Sequence, residues 1–205
     1  QLGKELTRFS MSTSETTVQA YNRDAAKYHA HVSDPDDSIY HSMYEKPALR
    51  EKLGELAGKS IINIGCGSGV DAQWLLDNGA ASVTGIDISS GLVDIGKKEF
   101  PNLDLHVMNM EHLEFPDNHF DLACSSLAIH YLPTMTPSLK ETHRVLKPGS
   151  KYVVSFMHPI DSAMEYTGDS ALLGHQRTSK VKEPVVYGNY SVTEENGTRA
   201  IDGYL

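Results

Sequence analysis

Cysteine is scarce. Two in 205 residues, Cys66 and Cys124, both inside apolar segments, cannot supply the spaced disulfide framework of a secreted domain, so a reducing, cytoplasmic setting is expected. Positive charge is also short, with 18 Lys and Arg against 27 Asp and Glu. The resulting formal charge of −9 repels a phosphate backbone and argues against nucleic acid as a partner. No apolar run approaches the roughly 18 residues a membrane span needs, so no membrane partner is expected. There is no internal repeat and no low-complexity tract. What is present, 40% hydrophobic and 22% charged residues, is the composition of one globular domain with a sizeable core. Residues 1–10 lack an apolar leader and precede Met11, and are read as an appended remnant outside the fold.

Apolar spacing predicts helices first. Val18, Tyr21, Ala25 and Tyr28 mark one face of a helix over 13–31, broken by Asp34 to Asp37. Met43, Leu49, Leu53 and Leu56 mark a second over 42–57, with Gly58 placed to end it. The texture then changes to alternation. Strands are predicted at 60–64, 82–88, 103–107, 120–126 and 151–156, separated by helices over 71–78, 89–100 and 136–146. In the last helix Leu139, His143 and Leu146 carry the spacing, and Pro148 with Gly149 is expected to stop it. Strands alternating with helices predict an α/β fold, a doubly wound and mostly parallel sheet covered on both faces. Beyond His158 the pattern fails. A hairpin with strands over 185–192 and 198–204, turning at Glu195, Asn196 and Gly197, is the most that the remainder offers.

The chemistry concentrates after the first strand. Ile64-Gly65-Cys66-Gly67-Ser68-Gly69 places three glycines between a strand and a helix, where a tight turn without Cβ atoms lets a ligand lie against the main chain. Eighteen residues past Gly69, at the end of the second strand, Asp87 can accept hydrogen bonds from both hydroxyls of a ribose. An adenosine-bearing cofactor is therefore expected. Val70 stands where the dinucleotide fingerprint needs Gly or Ala, which weakens a nicotinamide or flavin reading.

With these residues the chain resembles the class I S-adenosylmethionine-dependent methyltransferases, in the small-molecule group called methyltransferase type 11. The likeness runs over residues 21–158, through the glycine loop, Gly85-Ile86-Asp87-Ile88-Ser89, the stretch 113–122 and Arg144-Val145-Leu146-Lys147-Pro148-Gly149. It implies a Rossmann-like methyltransferase fold with strand order 3-2-1-4-5. It also implies S-adenosylmethionine as cofactor, held by Asn63, Gly65, Cys66, Gly67, Asp87, Ile88, Asn109, Met110, Glu111 and Ser125. Two positions depart from the family, which usually carries acids where Asn63 and Asn109 stand, near the cofactor's ammonium and its adenine. Weaker binding is expected from the lost charge-assisted contacts, and Asn63→Asp and Asn109→Asp are expected to tighten it. The organisation implied is a helical lid over 11–58, a cofactor-binding core over 59–158 and a substrate cap over 159–205, the domain lacking its closing C-terminal strands.

Methyl transfer from a sulfonium needs alignment and desolvation more than acid–base help. His130, leaving the fourth strand at the ligand-binding edge, is the candidate catalytic base for a small-molecule methyl acceptor. Tyr21, Tyr28 and His158 are candidates to face that acceptor. The competing function is a non-catalytic cofactor-binding sensor or partner subunit, and an exposed sheet edge suggests a homodimer. His29 and His31 share no helix face, and the acidic cluster 34–37 lacks the glycine and glutamate of a calcium loop, so no metal is expected.

Overall fold

A computed structural model describes residues 13–157, together with the strand segments 164–167, 178–181, 192–194 and 197–199. The chain divides into two compact units, residues 1–156 and 157–205. In the first, helices α1 (Thr13–Arg23), α2 (Ala25–Ser33) and α3 (Lys46–Leu53) precede an alternating series. That series comprises β1 (Ser60–Ile64), α4 (Val70–Asp77), β2 (Ser82–Asp87), α5 (Ser90–Glu99), β3 (Asp104–Val107), β4 (Phe120–Ser126), α6 (Thr136–Val145) and β5 (Leu146–Ser155). The five strands form one sheet in the order β3-β2-β1-β4-β5, every neighbouring pair parallel. This is the doubly wound α/β sheet that the alternation predicts.

Strand alternation divides the core between two faces. Ile61 packs on one side among Leu49 and Leu53 of α3, Leu75 of α4 and Val93 of α5. Ile62 and Ile64 pack on the other with Ile86, Phe120 and Val145 of α6. These three isoleucines are wholly buried, and each contributes roughly 1.5–3 kcal/mol relative to exposure. Close approach has its own requirement at Gly96, where a Cβ would lie 2.5 Å from the Ser68 carbonyl oxygen, so only glycine lets α5 pass so near the loop after β1. Ser89 caps α5, its hydroxyl accepting from the Leu92 N–H at 3.2 Å.

One side chain holds the connection between β3 and β4. Arg144, near the end of α6, donates to the carbonyls of Leu113 and Phe115 at 2.7 Å each, and it pairs with Asp117 and Glu141 at 2.8 Å. Glu141 in turn accepts the Leu113 N–H at 2.8 Å. The Arg144 guanidinium, first, and this N–H hold the Glu141 carboxyl down to about 2. Two separate sequence stretches, 113–122 and 144–149, are therefore one hydrogen-bonded unit.

Four local expectations need correction. The predicted helix over 13–31 is two helices with a turn at Asp24. The second helix ends at Gly54, whose φ of +68° no β-branched residue tolerates, rather than at Gly58, and it begins with a π-helical turn, His41–Glu45. The wider turn rotates Met43 out of the apolar register and leaves it 68% exposed. In α6 the buried face is Ser138, Thr142 and Val145, while His143 points to solvent. Pro148 and Gly149 do not separate α6 from β5. The strand starts at Leu146, paired to Phe120, and both residues lie in an irregularity before Lys151 pairs with Leu122.

The second unit contains two antiparallel pairs, β6 (Met164–Thr167) with β7 (Thr178–Val181) and β8 (Val192–Glu194) with β9 (Gly197–Arg199). Gly197, expected in the turn of the hairpin, pairs with Glu194 as the first residue of β9, and the other two expected turn residues, Glu195 and Asn196, lie outside the described residues. The β6–β7 pair carries no signal that the sequence reading used. Most of the predicted strands over 185–192 and 198–204 lie outside the described residues, as does His158.

Candidate functional site

The strand order reverses between β1 and β4, and a cleft opens there at the carboxyl ends of the strands. Its floor is the loop Gly65-Cys66-Gly67 after β1. Gly65 and Gly67 have φ of +70° and +57°, and a Cβ on Gly65 would run into Ala128, so the floor is bare backbone by necessity. Asp87 and Ile88 enter from β2, Asn109 and Met110 from the segment after β3, and Ser126 to Ala128 from the end of β4.

Asp87 is the organising acid. One carboxylate oxygen accepts the Gly67 N–H at 2.8 Å, the other the Ser89 N–H at 2.9 Å, so it ties the glycine loop to the start of α5. Burial raises its pKa above the ordinary carboxylate range, against the pull of those N–H groups. Each oxygen keeps a further lone pair for a ligand hydroxyl. Asn109 folds into an Asx turn, its side-chain oxygen accepting the Glu111 N–H at 2.9 Å.

Helices α1 and α2 roof the cleft through side-chain ties. The Asn22 side-chain oxygen accepts from the Ser89 hydroxyl at 2.8 Å and the Gly91 N–H at 2.9 Å, and His29 Nδ1 bonds the Ser68 hydroxyl at 2.8 Å. Tyr21 and Tyr28 meet edge to face at 5.2 Å, and the Tyr21 and Tyr131 hydroxyls are 2.8 Å apart. Burial pushes the Tyr28 phenol up to about 12 and that of Tyr21 higher still, so both remain neutral walls rather than bases at neutral pH. Burial also pushes the Cys66 thiol well up and that of Cys124 to about 12, which removes both as nucleophiles.

Several predicted residues do not meet at this cleft. Asn63 does not line it. On a strand with period-two alternation it shares the face of Ile61 and is 2% exposed, its amide donating to Cys124 Sγ at 3.4 Å and its Oδ1 without a partner among the described residues. Ser125 is wholly buried in β4, and its neighbour Ser126 reaches the cleft instead. Glu111 supports Asn109 from outside the lining. His130 sits in a 3₁₀ turn, Ile129–Tyr131, that aims Tyr131 into the cleft and leaves the imidazole outside it. Its Nδ1 is buried without a partner among the described residues, and burial lowers its pKa.

Residues the sequence reading passed over take those places. Asp71 and Lys46 both line the cleft, 3.3 Å apart, with Arg50 at 3.8 Å from the same carboxylate. Asp71 was findable, since it follows the glycine loop by two residues at the first turn of α4. His41 lines the cleft from the π-helical turn. Among the described residues no group of three or more His, Cys, Asp or Glu could hold a metal ion, and no helix is long and apolar enough to cross a membrane.

This architecture has relatives. Residues 62–154 match the family described as "Methyltransferase domain". A demethylmenaquinone methyltransferase of Chlorobaculum parvum is 29% identical over 130 residues, 63% of this chain and 54% of that protein. A probable phthiotriol/phenolphthiotriol dimycocerosates methyltransferase 2 of Mycobacterium ulcerans is 28% identical over 151 residues, 72% of this chain and 57% of that protein. The chain thus spans about half the length of the curated relatives it matches. Among solved structures, an S-adenosylmethionine dependent methyltransferase from Mesorhizobium loti superposes with a TM-score of 0.59 at 32% identity, over 67% of this chain and 63% of that one. Residues 62–154 thus carry a methyltransferase domain of the class I S-adenosylmethionine-dependent type.

Proposed function

We propose that the cleft binds S-adenosylmethionine and that the protein transfers its methyl group to a small-molecule acceptor. The observation that carries this reading is Asp87, a half-buried carboxylate bonded to the N–H groups of Gly67 and Ser89 at the edge of the glycine loop. Its remaining lone pairs suit the two ribose hydroxyls. Ile88, Asn109 and Met110 flank the adenine side, with the Asx turn holding Asn109 in place. Lys46 and Asp71 offer an ammonium and a carboxylate side by side, the complement of an amino-acid zwitterion. Asp71 therefore supplies the acid that Asn63 lacks.

When bound, S-adenosylmethionine supplies an electrophilic methyl on a sulfonium whose leaving group is a neutral thioether. The chain's own contribution is alignment and exclusion of water. Tyr21, Tyr28 and Tyr131 close one wall, and Val32, Leu127 and Leu132 make the acceptor side apolar. The likeness to a demethylmenaquinone methyltransferase and to a probable phthiotriol/phenolphthiotriol dimycocerosates methyltransferase supports an acceptor with an apolar body. Calorimetric titration of one sample with S-adenosylmethionine, S-adenosylhomocysteine and NAD tests the reading. Both sulfur nucleosides are expected to bind and NAD not to. Preference for NAD would overturn it.

A further inference from the structure

Resting on the methyl-donor reading above, we infer that His41 is the general base that takes the acceptor's proton, with Glu45, Ser126 and Ser155 as its mount, and that the acceptor is an apolar molecule carrying a phenolic or enolic hydroxyl. Glu45 is a buried acid that cofactor binding leaves unexplained, its side chain 3% exposed. One oxygen, Oε1, accepts from the Ser126 hydroxyl at 2.9 Å and from the Ser155 hydroxyl, at the carboxyl ends of β4 and β5. The other, Oε2, has no hydrogen-bond partner among the described residues and lies 3.8 Å from His41 Nδ1. Burial raises the pKa of Glu45, but the pull of the neighbouring His41 and the bonds from Ser155 and Ser126 together outweigh it, so the group stays a carboxylate.

A carboxylate beside Nδ1 selects the tautomer with its proton there, and the lone pair then falls on Nε2. His41 is the one histidine among the described residues that line the cleft. The same network shapes the acceptor side. The Ser155 hydroxyl and carbonyl both accept the Leu127 N–H, at 3.2 and 3.0 Å, and hold Leu127 at φ +47°, a conformation a leucine adopts only under constraint. That turn presents Ser126 and Leu127 to the cleft. At 3.8 Å the two groups are within ion-pair reach, so a proton taken up by the imidazole is stabilised by the carboxylate beside it.

The step balances. His41 Nε2 takes the hydroxyl proton, the acceptor oxygen forms its bond to the methyl carbon, and the electron pair of the broken carbon–sulfur bond stays on sulfur. The imidazolium rests beside Glu45 and later gives its proton to solvent. An imidazole base suits a phenol or enol, whereas an alkyl alcohol is too weakly acidic and a tertiary amine has no proton to give.

The test uses the full chain, the variants His41→Gln, Glu45→Gln and Glu45→Asp, and para-nitrophenol as probe, whose phenolate alone is yellow. With S-adenosylhomocysteine bound, the wild type is expected to bind the probe as phenolate. His41→Gln should bind S-adenosylhomocysteine as well as the wild type, lose the yellow complex, and methylate the probe roughly a hundredfold more slowly in kcat. Glu45→Gln should lower kcat about tenfold with KM unchanged, and Glu45→Asp should recover part of it. If Glu45→Gln does not fold, His41→Gln decides. Binding of the probe only as neutral phenol, no binding of it to the S-adenosylhomocysteine complex, or an unchanged kcat in His41→Gln would each overturn the inference while leaving the methyl-donor reading intact. Failure of the wild type to bind S-adenosylhomocysteine would overturn both.

Discussion

Replacing Asp87 with Asn keeps the shape of the side chain and removes its charge and one acceptor oxygen. In the wild type both oxygens already accept backbone N–H groups, from Gly67 and Ser89, and the ribose would use the lone pairs left over. An asparagine must turn its NH₂ toward one of those N–H donors, so it loses a loop contact and a ribose contact together. A hydrogen bond to a charged group is worth about 1.5–3 kcal/mol, so affinity for S-adenosylhomocysteine should fall by roughly 10- to 150-fold. Isothermal titration at neutral pH reads this directly. A folded Asp87→Asn protein that binds within twofold of the wild type would refute the placement of the ribose.

The pH dependence adds a sign that packing alone does not predict. Burial raises the folded-state pKa of Asp87 above its unfolded value. Its contribution to stability is therefore fully present below the unfolded pKa and is lost as pH rises through the folded one. Ligand binding needs the carboxylate and moves the opposite way, weakening as pH falls through that raised value. Asp87→Asn should abolish both dependences, and a wild type whose affinity is flat from neutrality down to the ordinary carboxylate range, about pH 4, would contradict the assignment.

Arg144→Ala removes bonds to the Leu113 and Phe115 carbonyls and to Asp117 and Glu141, and should cost about 3 kcal/mol, some 6–12 °C in Tm for a domain of this size; a shift under about 2 °C in a thermal melt would show that the β3–β4 connection holds itself. Asn63→Asp removes the donor to Cys124 Sγ and puts a second carboxylate in the small cavity that Asp71 also lines, so stability should fall by about 1–3 kcal/mol without tighter cofactor binding, and tighter binding in titration would restore the expectation drawn from the sequence. Gly96→Ala places a Cβ against the Ser68 carbonyl and should lower both Tm and S-adenosylhomocysteine affinity; unchanged values in both assays would mean that α5 shifts at no cost.

The strands were legible because each is a short apolar run between glycines and caps, and a buried parallel strand needs little else. Ser60–Ile64 and Phe120–Ser126 match their predicted bounds for that reason. Helix ends were harder where the stop signal had a rival. Gly54 and Gly58 both offer a positive φ, and only the packing of Leu53 and Leu56 decides between them. Pro148 and Gly149 look like a helix stop in one dimension, yet the pairing of Leu146 to Phe120 draws them into a strand irregularity.

The site divides by the same logic. Gly65, Gly67 and Asp87 lie on backbone that is local in sequence, a turn and a strand end, so their places at the cleft followed from residue type and spacing, whereas Asn109, in its Asx turn, came from the resemblance. Asn63 came from the resemblance, and in β1 its side chain shares the face of Ile61 rather than lining the cleft, while Ser125 and Ser126 face opposite layers of β4 and only Ser126 lines it. His41 and Glu45 could not be found this way. Glu45 meets Ser126 and Ser155 across separations of 81 and 110 residues, and both His41 and Glu45 lie in a turn whose π-helical register no apolar spacing marks. On the proposed reading the cofactor half of the cleft is written in contiguous motifs, while the acceptor half would be assembled by tertiary packing of the N-terminal helices onto the ends of β4 and β5. Substrate preference in such a fold can change by altering that packing without touching a motif, and the acceptor is therefore to be sought through His41 and Glu45 rather than through the glycine loop.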